Sequence, residues 1–429
     1  MMEKFDAIVV GAGLAGLASA YTLANEGMEV LVLERGDYPG AKNVTGGRLY
    51  VNPVRELFPD IWKKAPLERF IASEGVCMMA GERSVSINYA GNELLEEPYQ
   101  SFSILRARFD RWLAKQAERK GAMLVDKSRV DDLIFEDGKV IGVRAAGDEL
   151  HANVVIACDG VLSFIAEKAG LRRKVEAPNY AVGYKEIIEL DPSQIEDRFG
   201  LEGNEGSARM YMGEVTKGKF GGGFLYTNKS SISLGIVIGI KDLMEEKPSI
   251  EAPVLLDEFK QRREIAGLIK GGETVEYSAH VIPEGGYKAL NKLYGDGILV
   301  AGDAAGLAMN IGVTVRGMEY ALASGYYAAQ TVLQAKEKED FSAAALSHYQ
   351  TQMESSFILQ DFKNFQEAPQ VLENPRFFNH YPEMLGNIMK DIYEVPAGSK
   401  NRLYPTIKQY MAFSELWAML GDMRKVMKI

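Results

Sequence analysis

The chain has 429 residues, of which 47% are hydrophobic and 25% charged, and its net charge is −10. That is ordinary globular composition, long enough for a large core and two or three domains, with no need of a disulfide or metal staple. The acidic balance argues against a nucleic-acid partner, which calls for a basic face.

Only two cysteines occur, Cys77 and Cys158. They cannot ligate a four-cysteine iron–sulfur cluster or a zinc ribbon, and such sparse usage fits a reducing compartment. The first residues lack the shape of a signal peptide, because a strand starts almost at once. No apolar run approaches the roughly 20 residues that a membrane-spanning helix needs. The expected location is cytoplasmic, with peripheral contact on the inner face of the cell membrane left open.

In chain order, Ala7-Ile8-Val9-Val10 reads as a buried parallel strand. Residues 14–26 have helical spacing, with Leu17, Tyr21 and Ala24 on one side, and Gly27 is placed to end that helix. Val30-Leu31-Val32-Leu33 is the next strand, completing a βαβ unit. Residues 106–120 read as a helix with Phe109, Trp112, Leu113 and Ala117 inward. Residues 130–144 alternate around Asp137-Gly138, a hairpin signal, and Val154-Val155-Ile156-Ala157 is another buried strand. Beyond Tyr180 the pieces 208–212, 222–226 and 231–240 predict an inserted antiparallel sheet with one face covered. Gly297-Ile298-Leu299-Val300-Ala301 returns to the buried-strand pattern and is expected in the same sheet as the N-terminal unit. A small-residue helix over 317–337 follows, and 341–429 reads mostly helical, broken near Pro369, Pro375, Pro382, Pro396 and Pro405.

The strongest chemical signal is Gly11-Ala12-Gly13-Leu14-Ala15-Gly16, with a strand before, a helix after, a second strand, and Glu34-Arg35 about 20 residues on. Gly11 permits the tight turn, Gly13 lets a pyrophosphate approach the backbone, and Gly16 lets helix and strand pack closely. The pyrophosphate is expected on the helix N-terminus, and Glu34 on the ribose hydroxyls. A second run ends a buried strand in Gly302-Asp303 and runs into a helix whose N-terminus is placed to face a flavin ring. Asp303 is placed either to reach the ribityl hydroxyls of a flavin or to cap that helix, and the two roles are compatible. Asp159-Gly160 ends a third buried strand. The glycines at 218–223 lie in the strand-rich insert without a following helix, so there is no second dinucleotide unit.

Three such elements in this order resemble the FAD-binding superfamily of glutathione reductase, the aromatic hydroxylases and the geranylgeranyl reductases, and the resemblance makes the expected ligand FAD. Within it, the run from Pro39-Gly40-Ala41-Lys42-Asn43-Val44-Thr45-Gly46-Gly47-Arg48-Leu49-Tyr50 is similar to the FixC-type electron-transfer-flavoprotein:quinone oxidoreductases. So are Ile104-Leu105-Arg106-Ala107-Arg108-Phe109-Asp110-Arg111-Trp112-Leu113, Gly285-Gly286-Tyr287 and Thr314-Val315-Arg316-Gly317-Met318-Glu319. Aromatic hydroxylases usually carry a histidine soon after the Gly-Asp turn, and residues 307–312 have none.

The fold so implied is α/β: a discontinuous Rossmann-type FAD-binding domain, an inserted antiparallel-sheet substrate domain and a helical C-terminal region. The expected boundaries are 1–75, 101–179 and 273–345 for FAD, 76–100 and 180–272 for the sheet-rich quinone domain, and 346–429 for the helices. The resemblance places Arg106 near the ribityl or phosphate region, against a plain salt bridge on its helix. It places Val130 at the adenine, against an ordinary strand residue. Lys42, Asn43, Gly46 and Gly47 are expected beside the flavin ring, Gly312 and Val313 among the cofactor contacts, and Gly285, Gly286 and Tyr287 at the quinone pocket. No residue is expected to act as acid or base. His151, His280, His348 and His380 lack ligand spacing and read as structural or surface residues. Cys158 reads as inert core, and Cys77 receives no role.

The implied activity moves electrons from an electron-transfer flavoprotein, with its alpha and beta subunits, to quinone. The cluster that mitochondrial relatives carry on a four-cysteine domain is expected on a separate ferredoxin-like iron–sulfur subunit, in a multi-subunit complex in which bifurcation stays open. Two other readings remain: a geranylgeranyl-reductase-like enzyme acting on prenyl double bonds, and a flavin-bearing scaffold without catalysis. The stretch 404–429, with Phe413, Leu416, Trp417, Leu420 and Met423 and a basic tip, reads either as a helix for a membrane or partner or as one packed on its own domain.

Overall fold

The computed structural model describes residues 4–43, 46–245 and 251–429; Val44 and Thr45 of the Lys42 loop lie outside the described residues. Two large sheets form the body. The first has eight strands in the order Tyr294–Gly295, Ile298–Val300, Asp148–Ala157, Lys4–Val10, Val30–Leu33, Met123–Val125, with the hairpin Val130–Glu136 and Lys139–Ala145 joined to Asp148–Ala157. The four pairings at its centre are parallel. Val30–Leu33 is buried at every position, as a parallel strand covered on both faces must be. The strand Ile298–Val300 thus meets the N-terminal unit through Asp148–Ala157. The hairpin turns at Asp137 and Gly138, both with positive φ, the conformation that Asp-Gly favours there.

Helix Leu14–Asn25 covers this sheet and packs on Met318–Glu337. The approach is backbone to backbone: Ser19 Oγ donates to the Gly325 carbonyl at 2.9 Å, and a Cβ on Gly325 would collide with the Ala15 carbonyl. Small residues along 318–337 make that approach feasible.

The second sheet has nine strands in the order Glu273–Pro283, Tyr180–Glu189, Ser231–Gly239, Gly221–Thr227, Glu205–Gly213, Phe70–Ala80, Ser101–Ile104, Gly47–Tyr50, with Arg83–Tyr89 beside Phe70–Ala80. It differs from the sequence reading in three ways. Glu205–Gly213 and Phe70–Ala80 run parallel, so the sheet is mixed. The strands Gly47–Tyr50, Ser101–Ile104 and Glu273–Pro283 hydrogen-bond into it, although their segments were expected in the FAD-binding domain. Both faces are covered along Ser231–Gly239, where eight of nine residues are buried. One face packs on its own apolar cluster with Leu255, Leu256 and Phe259, and the other turns towards a large cavity.

The C-terminal residues are helical, ending in Phe413–Val426. That last helix has a single buried residue, Asp422, which accepts from Asn374 Nδ2 at 2.8 Å, Arg376 Nε at 3.0 Å and Tyr381 Oη at 2.5 Å. It is docked through polar contacts, while Phe413, Trp417, Leu420 and Met423 point outward. Among the described residues, no helix is long and apolar enough to cross a membrane.

Candidate functional site

The site begins at the glycine turn. Gly11 has φ +99, and its N–H donates to the Leu33 carbonyl at 2.8 Å; a side chain there would collide with the Cys158 carbonyl. Gly16 faces the Gly11 carbonyl and Val9, so helix and strand touch where it lies. Gly13 is different. Its φ of −82 suits any residue, and no protein atom lies within 4 Å of a Cβ built on it. The open space is the cavity, so packing within the fold does not call for glycine there, and a side chain would enter the cavity instead. Gly13 is also the N-cap of Leu14–Asn25, which has neither a side-chain cap nor an acidic residue in its first turn. Its N-terminal N–H groups and dipole are thus left for an anion.

Glu34 sits at the end of the second strand and accepts the Ala12 N–H at 2.8 Å and the Gly36 N–H at 2.6 Å. It still lines the cavity, and a carboxylate keeps lone pairs beyond these two bonds. Arg35 and Val130 line the same end. Asp159 and Gly160 border the cavity too, but the Asp159 carboxylate accepts Ser163 Oγ at 3.1 Å and the Ile165 N–H at 3.0 Å, which holds the short helix Phe164–Lys168. Cys158 is buried, and burial pushes its thiol up, away from reactivity.

At the opposite end, Gly302 has φ +65 and its N–H donates to Ser324 Oγ at 3.0 Å. The strand does not run into a long helix. A single 3-10 turn, Gly302–Ala305, follows, then the short pair Met309–Asn310 and Val315–Arg316, and the helix starts only at Met318. Asp303 makes no capping bond and lines the cavity; burial raises its carboxyl, and His280 and Arg106 oppose that. Arg106 is held by Asp110, Nε to Oδ1 and Nη2 to Oδ2, both at 2.8 Å, and Asn43 Nδ2 donates to the same carboxylate at 2.6 Å. Its salt bridge is buried at the cavity wall, not on the surface. Lys42, Gly46, Gly47 and Gly312 also border the cavity.

Four residues stand elsewhere. Val313 is 60% exposed. Gly285 packs against Asn179 and Ala289, and Gly286 against Pro369. Gly286 and Tyr287 border a separate cavity of only about 10 Å³, so the 285–287 run does not wall the large space.

The second sheet supplies residues that the sequence reading passed over. Its register aligns Gly222 with Val237, Val237 with Gly183, and Gly183 with His280, a row across four strands in which every member borders the cavity. Two glycines and a valine give that floor a flat profile. His280 is therefore a cavity residue, which corrects its reading as a structural or surface histidine; burial lowers its pKa, and Asp303 opposes the change. Lys185 stands two residues from Gly183 on the same face, buried, 5.7 Å from the Phe224 ring centroid. Burial first, then Arg106, push its ammonium well down. Met210, Phe224, Leu372 and Phe378 add apolar lining to the same cavity, beside Tyr226, Arg48 and Arg316. A lysine at 185 inside an apolar strand was the signal available for this face.

The cavity measures about 880 Å³. That is at the upper end of cofactor sites, roughly 300–1,000 Å³. Its bare helix N-terminus, the empty cradle at Gly13 and the long course from Glu34 to Asp303 fit a dinucleotide with a flavin at the inner end. A family model described as an FAD binding domain matches residues 4–202, and one described as the ETF-QO/FixC family C-terminal domain matches residues 368–429. Protein FixC of Escherichia coli is 48% identical over 397 residues, covering 92% of each chain. The chain belongs to the FixC/electron-transfer-flavoprotein:quinone oxidoreductase family. A probable electron transfer flavoprotein-quinone oxidoreductase of the same organism is 44% identical over 393 residues, covering 92% of this chain and 91% of its own. A geranylgeranyl bacteriochlorophyll reductase-like protein from Thermoplasma acidophilum shares the fold at TM-score 0.72 and 21% identity, over 98% of this chain and 99% of its own. This FixC-family chain is an FAD-dependent oxidoreductase.

Proposed function

We propose that this FixC-family subunit takes electrons from an electron-transfer flavoprotein and passes them to quinone. The observation that carries the reading is the flat row Gly222, Val237, Gly183 and His280, which continues the cavity past Asp303 towards its apolar lining. A planar, apolar acceptor fits beside a flavin there.

The bound FAD would supply two-electron redox chemistry, while the protein positions and tunes it. The glycine turn and the open helix end hold the pyrophosphate, Glu34 the ribose, and Val130 the adenine side. The Arg106 guanidinium, held by Asp110, lies near Asp303 at the flavin end of the cavity. The sheet floor excludes water from the acceptor.

Partner subunits belong to the same reading: the alpha and beta subunits of an electron-transfer flavoprotein, and a ferredoxin-like subunit for the iron–sulfur cluster. Cys77 and Cys158 support a cluster held elsewhere, since they are buried in different cores. The outward apolar side of Phe413–Val426 supports assembly, and the absence of a spanning helix among the described residues leaves room for a peripheral position at the membrane. The apolar lining of the cavity would also accept a prenyl chain. Steady-state assays of FAD-loaded protein with either a short-chain quinone or a prenyl lipid separate the two: quinone reduction is expected, and turnover of the prenyl lipid alone would reverse the assignment. Removal of the flavin should abolish quinone reduction, which a scaffold without catalysis would not show.

A further inference from the structure

Glu284 follows the strand Glu273–Pro283 and is buried where two cavities meet. It lines the large one together with Ala308 and Asn310, and the same three residues line the small one beside Gly286 and Tyr287. The small cavity, about 10 Å³, has room for about one water. Gly286 and Tyr287 on its outer side are partly exposed. The Glu284 backbone is fixed by its N–H bond to the Asn179 carbonyl at 2.8 Å.

The Asn310 amide is oriented. Its Oδ1 accepts the Gly312 N–H at 2.8 Å, and the residue borders both cavities beside Glu284. Burial pushes Glu284 up to about 7, and the neighbouring Asn310 amide opposes this. Titratable groups bordering the same spaces include Tyr287 on the small side and Arg48, Arg106, Lys185, Tyr226, His280, Asp303 and Arg316 on the large side, and no charged neighbour is among the causes of its shift. A carboxylic acid whose ionisation burial moves towards neutrality, at the wall between the substrate space and a water-sized pocket, is suited to proton transfer.

We propose that Glu284 is the proton donor to the acceptor's oxygen in the large cavity, recharged through the small cavity beside Tyr287. This rests on the quinone reading above. The balance is that of quinone reduction. The Glu284 O–H bond breaks as an O–H bond forms on the quinone. The reductant, a two-electron-reduced flavin, supplies both electrons and the other proton. The Glu284 carboxylate left behind takes a proton from water on the small-cavity side.

The test uses FAD-loaded wild type, Glu284→Gln and Glu284→Asp. Infrared difference spectra of wild type against E284Q should show a protonated-carboxyl band that titrates near neutral pH and is missing in the variant. Reoxidation of the reduced protein by a short-chain quinone should slow by about 10²–10⁴-fold in E284Q, lose its pH dependence near neutrality, and recover in part in E284D. FAD content and reduction by dithionite should not change. If wild type is reoxidised by quinone and E284Q matches it in rate and pH profile, or if the band is absent, Glu284 is not the donor. If wild type itself is not reoxidised by quinone, the quinone reading falls, and this inference falls with it.

Discussion

The Arg106 guanidinium and the Asp110 carboxylate meet in a two-point contact, each bond 2.8 Å, with the carboxylate fully buried. One turn of helix Arg106–Arg119 spaces the pair, and Asn43 ties the Lys42 loop to the same carboxylate. Removing Asp110 leaves a buried cation unpaired. Asp110→Ala should therefore destabilise the protein by about 3–5 kcal/mol. Replacing both residues by leucine should restore much of that stability while FAD affinity stays low. Thermal unfolding together with flavin-fluorescence titration would detect both effects; an R106L/D110L protein that binds FAD normally would remove Arg106 from the site.

The glycine turn predicts a contrast between two similar substitutions. Gly16→Val pushes a side chain against the Gly11 carbonyl and Val9, so it should destabilise the apoprotein by about 1–3 kcal/mol. Gly13→Val meets only open space, so the apoprotein should stay within about 1 kcal/mol of wild type while FAD affinity drops at least about tenfold. Denaturant unfolding of the apoproteins and FAD content after purification read the two effects separately. Equal loss of stability in both variants would contradict the assignment of Gly13.

Stability should also depend on pH through Glu284. Its carboxyl is pushed from the ordinary 4.5 up to about 7, so the folded state holds the proton more tightly than the unfolded chain. The extra stability is fully present below the unfolded value and is lost as pH rises through the folded one. The size is about 3 kcal/mol over that window. E284Q lacks this slope, so the difference in unfolding free energy between wild type and E284Q should shift in favour of E284Q as pH rises from about 4.5 to about 7. The opposite tendency of His280 is common to both proteins and cancels. A difference that stays flat would show that Glu284 ionises as an exposed carboxylate does.

The last helix predicts an assembly phenotype. Phe413 and Trp417 are 77% and 58% exposed, while Asp422 carries the docking to Arg376, Asn374 and Tyr381. Phe413→Glu/Trp417→Glu should leave FAD content and melting temperature unchanged within about 0.5 kcal/mol. Co-purification with partner subunits should weaken at least about tenfold. Unchanged recovery of the partners would mean that they bind elsewhere.

What the sequence made legible was local. The turn 11–16, the Glu34 strand and the Gly302-Asp303 turn all follow from periodicity and glycine spacing within one short segment, and the structure brings them to one cavity. The second sheet's contribution was hidden because it depends on register. Lys185 and His280 share a face only because Gly183 pairs with His280, and no short-range pattern states that pairing. The Gly285-Gly286 pair misled for a related reason: both glycines serve close packing against Asn179, Ala289 and Pro369, while the buried Glu284 just before them borders the cavity. Asp303 was readable as a cap or a flavin contact, and the 3-10 turn, which leaves it without a capping bond, removes the first role.

The most direct test of the central claim is a stopped-flow experiment under anaerobic conditions that follows the bound FAD absorbance. FAD-loaded protein is mixed with a reduced electron-transfer flavoprotein, then with a short-chain quinone. Bleaching is expected in the first step and recovery in the second, with one quinol formed per FAD reoxidised. Bleaching without recovery, or no bleaching by any electron-transfer flavoprotein while dithionite still reduces the flavin, would contradict that claim.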